Sequence, residues 1–183
     1  MTTPHDHDDP IARTRAWMER AVIGLNLCPF AKAVAVRGQV RFVLSQATTP
    51  EALLEELGLE LAHLRDTDPA QTDTTLLIHP QVLGDFLDYN DFLDLADALV
   101  EDMALDGVLQ VASFHPDYRF ADAGADDIGN FTNRSPYPTL HLLREDSVTR
   151  AVEAYPDPDV IIGRNLRTLE GLGHEGWRKL FED

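Results

Sequence analysis

The chain has 183 residues, 44% of them hydrophobic and 26% charged, and its 32 acidic against 15 basic side chains give a net charge of −17. That length suits one well-buried core, and the lone cysteine, Cys28, excludes an internal disulfide framework, an all-cysteine zinc site and a CxxC redox pair. The acidic excess argues against a nucleic-acid partner. No apolar run approaches the roughly 18 residues of a spanning helix and no leader pattern opens the chain, so the expectation is a cytoplasmic protein with no membrane partner.

In chain order, residues 1–9 read as a disordered acidic start and 10–183 as a single globular domain. Asp9 and Pro10 suit the cap and first position of an N-terminal helix, whose apolar face (Ile11, Met18, Val22, Leu25) runs to about Asn26 before Pro29 stops it. A strand is expected at Val40 to Gln46. Thr49 and Pro50 open a second helix with Leu53, Leu57, Leu61 and Leu64 as its stripe. Asp66 to Asp73 is a polar linker, and Thr74 to His79 a short apolar strand.

The segment Asp85 to Asp106 resolves on a helical wheel of about 100° per residue. Phe86, Tyr89, Phe92, Leu93, Ala96, Leu99, Val100 and Met103 share one arc. Asp88, Asp91, Asp94, Asp97, Glu101 and Asp102 share the opposite one. Val108 to Phe114 is a third strand and Thr139 to Arg144 a fourth. A helix capped by Asp146 or Ser147 runs to about Tyr155, Asp159 to Asn165 is a short strand or a helix start, and an amphipathic segment surrounds Trp177, Leu180 and Phe181. The alternation implies an α/β or α+β helix/sheet sandwich with about four main strands and an N-terminal helix. Two layouts stay open, an all-parallel sheet and a ferredoxin-like variant with antiparallel neighbours. The stretch from Asp117 to Pro138 is too long for a plain connection, and its Tyr118, Phe120, Phe131 and Tyr137 suggest that it packs down.

Two echoing tripeptides, Ile78-His79-Pro80 and Phe114-His115-Pro116, each close an apolar strand. If those strands are parallel neighbours, both histidines sit at the carboxyl edge where open α/β sheets bind ligands. His141 points to one face of its strand, and three imidazoles converging with Asp117 or Asp127 could hold a metal. The bland alternative is a pair of strand-end histidines and a satisfied core histidine. Cys28 ends the first helix, where the dipole raises a thiol pKa, so packing is favoured over catalysis. With 13 Arg against two Lys, the guanidinium groups stand out. Arg119, Asn133, Arg134, Ser135 and Tyr137 in the long loop, with Arg164 and Asn165, form a set suited to a carboxylate or phosphate; pairing with the many acids is the competing account. Gly171 to Gly176 matches GxGxxG, but it lacks a leading strand and too few residues follow for a βαβ unit. GxxxxGK[ST], HExxH and GxSxG are absent.

On Leu27-Cys28-Pro29-Phe30, Phe114-His115-Pro116 with Tyr118 and Phe120, Asn133 to Pro138, Leu140 to Arg144, and Gly163-Arg164-Asn165, the chain resembles the family catalogued as domain of unknown function 1415. The resemblance runs from about Trp17 to Gly173 and implies a compact protein of this size, with no reaction attached. The residues themselves point to a small enzyme with a His/Arg-lined pocket acting on a small anionic molecule. His115, with His79 or His141, would serve as acid/base or ligand in a His-dependent hydrolase or transferase. The alternatives are a non-catalytic metal- or anion-binding protein and an interaction module that presents its acidic helix to a basic partner. Cofactor, metal and oligomeric state stay open.

Overall fold

A computed structural model describes residues 9–155 and 157–182. The disordered start expected at 1–9 therefore falls, apart from Asp9, outside the described residues. Asp9 caps α1 (Pro10–Trp17) by accepting a hydrogen bond from the Ile11 amide. The sheet is built from β1 (Val40–Leu44), β2 (Thr74–Ile78), β3 (Leu109–Phe114) and β4 (Thr139–Arg144). Its order is β1-β2-β4-β3; β1 and β2 are parallel, and β4 is antiparallel to both β2 and β3.

This is an α+β fold, and neither of the two layouts above describes it. The two His-Pro strands are parallel, but they are not neighbours, because β4 lies between them. The reason lies in the long loop. It leaves the carboxyl end of β3 and returns to the same edge, where Thr139 pairs with both Phe114 and Ile78, so the returning strand can only run the other way.

Helices α3 (Pro50–Asp66) and α4 (Phe86–Asp102) are the crossovers from β1 to β2 and from β2 to β3. Both carry the chain across the sheet in the same direction, and crossovers of one hand then place both helices on one face. Leu53, Leu57, Leu61 and Leu64 of α3 and Tyr89, Phe92, Ala96 and Val100 of α4 pack there against Leu77, Leu109, Leu140 and Leu142. The acids of α4 lie on its other side; Asp88, Asp91, Asp94 and Glu101 are exposed.

The opposite face is covered differently. After Trp17 the N-terminal helix passes into a π-helical turn, Met18–Ile23, where the Gly24 amide reaches back five residues to the Glu19 carbonyl. A Cβ at position 24 would collide with the Arg20 carbonyl oxygen, so the wide turn needs glycine there. Asn26 ends the helix in the left-handed region, three residues before Pro29. Two departures from expectation follow. A short helix, α2 (Ala31–Val36), follows the Cys-Pro segment. Arg144, rather than Asp146 or Ser147, sits at the cap position of α5 (Glu145–Ala154). Of the two readings of Asp159 to Asn165, the helix start holds: the segment opens α6 (Pro158–Lys179), which is kinked at Gly173 and also takes in Trp177. Among the described residues, no helix is long and apolar enough to cross a membrane.

Candidate functional site

The sequence-predicted residues fall into three main places, with Arg164 and Asn165 apart from them on α6. The first is the carboxyl edge of the sheet on the α4 side, where Tyr89 sits between two histidines. Its ring stacks on His79 at 5.7 Å and tilts against His115 at 4.9 Å. The Tyr89 hydroxyl donates to the Thr139 carbonyl and accepts from the Phe114 amide, tying the start of β4 to the end of β3. The His79 Nδ1 donates to the Val82 carbonyl, leaving Nε2 buried with no hydrogen-bond partner among the described residues. Burial pushes the His79 pKa down to about 4, and the Val82 bond offsets only part of that. His115 has both nitrogens engaged: Nε2 donates to the Leu83 carbonyl and Nδ1 accepts from the Asp117 amide. Burial lowers its pKa as well, against the Leu83 bond and the carboxylates of Asp117 and Asp85.

The second place is the long loop, in which the anion-binding candidates hold backbone. Arg134 donates from Nε to the Tyr118 carbonyl and from a terminal nitrogen to the Ala125 carbonyl, and lies over the Phe131 ring at 4.6 Å. The Asn133 amide group donates to the Ser113 carbonyl, and the Ser135 hydroxyl to the Tyr137 carbonyl. The Tyr137 hydroxyl accepts from Arg13. Arg119 is exposed and makes no hydrogen bond or ion pair among the described residues. Arg164 and Asn165 lie elsewhere, on α6, and clamp the turn before Cys28 by donating to the Asn26 and Leu27 carbonyls.

The third place is the sheet face opposite α3 and α4. His141 alternates with Leu140 and Leu142 on β4 and points away from them. The three imidazoles therefore do not converge, and among the described residues no group of three or more His, Cys, Asp or Glu side chains is placed to hold a metal ion. The His141 Nε2 lies 2.7 Å from the Thr74 hydroxyl, which is also 2.7 Å from the Leu142 carbonyl. A hydroxyl has one proton, and the carbonyl can only accept, so Thr74 donates to Leu142 and accepts from His141. The proton is thereby fixed on Nε2. Nδ1 keeps its lone pair with no hydrogen-bond partner among the described residues. Burial pushes this pKa also down to about 4, with Asp73 pulling weakly upward, so the ring is neutral at pH 7.

That lone pair belongs to a residue lining a cavity of about 660 Å³ between the sheet, the π-helical turn, α2, α5 and the start of α6. Most of the lining is apolar, including Trp17, Phe30, Phe114, Leu143, Val148 and Tyr155. Trp17 meets Phe114 edge-on at 5.1 Å. Cys28, expected to pack inside, is exposed and lies on the cavity wall, because the clamped turn after Asn26 carries it outward. Sequence reading missed the polar residues around the cavity, Arg37, Asp73, Ser147 and Arg150. The periodic apolar set Val148, Ala151, Val152 and Tyr155 was the available sign that α5 faces something.

No curated protein and no solved structure matches the chain. Residues 9–179 match the family described as Protein of unknown function (DUF1415). That match takes in the π-helical turn, the cavity-lining segments, the long loop and the Gly163-Arg164-Asn165 clamp, and the chain belongs to this family.

Proposed function

We propose that this protein is a small enzyme that acts on a molecule held in the sheet-face cavity, with His141 as the group that accepts a hydrogen bond or proton from it. One observation carries the reading: of the three strand histidines, only His141 lines the cavity, and its Nδ1 has no hydrogen-bond partner among the described residues. His115 has both nitrogens on backbone groups and the free nitrogen of His79 is sealed, which assigns those two to holding the sheet edge. The cavity has the volume of ordinary small-molecule sites, roughly 300–1,000 Å³, and combines an apolar wall with few polar groups, as such sites do. A neutral imidazole with a fixed tautomer suits a substrate hydroxyl or amide donor. Cys28 on the same wall adds a thiol within the reaction space. The expected hydrolase or transferase thus keeps a histidine at its centre, with His141 in the role first given to His115.

Binding of the neutral, apolar fluorophore N-phenyl-1-naphthylamine tests the site. The full chain should bind it, and Ala151→Trp, which fills the cavity, should weaken binding at least tenfold. His141→Phe should keep the dye but lose the advantage that the hydroxyl gives 1-decanol over decane as a competitor. No dye binding, or binding indifferent to Ala151→Trp, would overturn the cavity reading. An unchanged preference for the alcohol in His141→Phe would remove His141 from it.

A further inference from the structure

Several polar residues of the cavity lining are linked to one another. The Gln39 carbonyl accepts the Asp73 amide, the Asp73 carboxylate accepts the Ser147 hydroxyl at 2.6 Å, and Arg150 donates to that same hydroxyl at 3.0 Å. Arg37, two residues before Gln39, lines the same cavity. Its Nε donates to the Ala33 carbonyl of its own helix. Neither Arg37 nor Arg150 meets a carboxylate among the described residues. The charged side chains of the lining are thus two guanidinium groups and the single carboxylate of Asp73, in a chain whose net charge is −17. In so acidic a protein, arginines left without acidic partners in the lining of a largely apolar cavity suit an anion that comes from outside.

We propose that Arg37 and Arg150 hold the carboxylate of an organic acid whose apolar body fills the cavity toward Trp17 and Phe30. This rests on the reading of the cavity as the working site and adds its substrate class. The division of labour follows from the lining. The apolar wall supplies non-directional burial of a hydrocarbon or aromatic body, while the two exposed guanidinium groups select an anionic end over a neutral one. Asp73, held by Ser147, sets the limit: one negative charge on the ligand leaves the lining near neutral, and a second would add to that carboxylate.

Displacement of N-phenyl-1-naphthylamine from the full chain by decanoate and by 1-decanol reads the proposal directly. The two competitors share the chain and differ in the head. At low salt decanoate should displace the dye at least about tenfold better than decanol, and this advantage should shrink in 0.5 M NaCl. In the double variant Arg37→Gln/Arg150→Gln, with displacement read against the variant's own affinity for the dye, the preference for decanoate over decanol should fall below about threefold. Decanoate no better than decanol in the native protein, or a preference that survives in the double variant, overturns the carboxylate assignment and leaves the cavity reading intact. Absence of dye binding in the native protein overturns both.

Discussion

Three histidines that look alike in the sequence differ in what their ring nitrogens still have to offer. His115 is engaged twice, His79 once with its other nitrogen sealed, and His141 once, on a residue that lines a cavity. The bonds of His79 to Val82 and of Asp117 to His115 are local, but the Leu83 partner of His115 and the Thr74 partner of His141 come from other elements, and no local pattern encodes those two. What the sequence does encode is that a histidine between Leu140 and Leu142 must face the opposite side of the strand from them. The buried histidines also give a pH dependence whose sign is fixed. His79 has a folded pKa of about 4 against an ordinary value of 6.5, so the unfolded chain takes up the proton first as pH falls. Stability is therefore lost below pH 6.5 and the loss is complete near pH 4; between pH 7.5 and 5 this one site costs about 2 kcal/mol. Urea unfolding of His79→Gln should show a drop over that interval smaller by about 2 kcal/mol than in the native protein, whatever its stability at pH 7.5. A native-like drop in the variant would mean that His79 is not held neutral.

At the scale of elements, caps and stripes were legible and irregular backbone was not. Pro50 after Thr49, and the Leu53, Leu57, Leu61, Leu64 series, announce α3, and the wheel of α4 separates core from solvent correctly. The π-helical turn has no such signature, because it is a single widened turn inside an otherwise ordinary helical pattern. Its one sequence trace is Gly24. The long loop was legible as more than a connector from its length and aromatics, but its arginine and amides look the same whether they await a ligand or hold backbone carbonyls. Glycine replacement separates the two kinds of helical environment. Gly24→Ala should destabilise by about 1–3 kcal/mol, since the new methyl group meets backbone that cannot move aside. Gly58→Ala, inside α3 and with Leu99 Cδ2 at an ordinary 3.7 Å, should stabilise by about 0.5–1 kcal/mol. Paired denaturation curves check this, and a shared sign would contradict the geometry at one of the two positions.

Across the whole molecule, the charge of −17 is the dominant long-range term. The acids along α4 are exposed, and among the described residues few carboxylates are paired with bases. Their mutual repulsion is screened over roughly 10 Å at 0.1 M salt. Raising NaCl from 0.02 to 0.5 M should therefore stabilise the fold by about 1 kcal/mol, a rise of about 3 °C in Tm for a chain of this size. A fall in Tm with salt would mean that attractive pairs outweigh the repulsion.

The sequence by itself determined the class of fold, α3 and α4 with their buried and solvated faces, the four strands, and the segments that carry the family's residues, because propensity, capping and apolar periodicity act over a few neighbouring positions. Tertiary structure alone decided the insertion of β4 between the two His-Pro strands, the separation of His141 from His79 and His115, and the joining of Cys28, His141, Arg37 and Arg150 around one cavity. Those outcomes depend on which edge a long loop returns to and which face a helix covers, and such long-range choices leave no periodic mark along the chain.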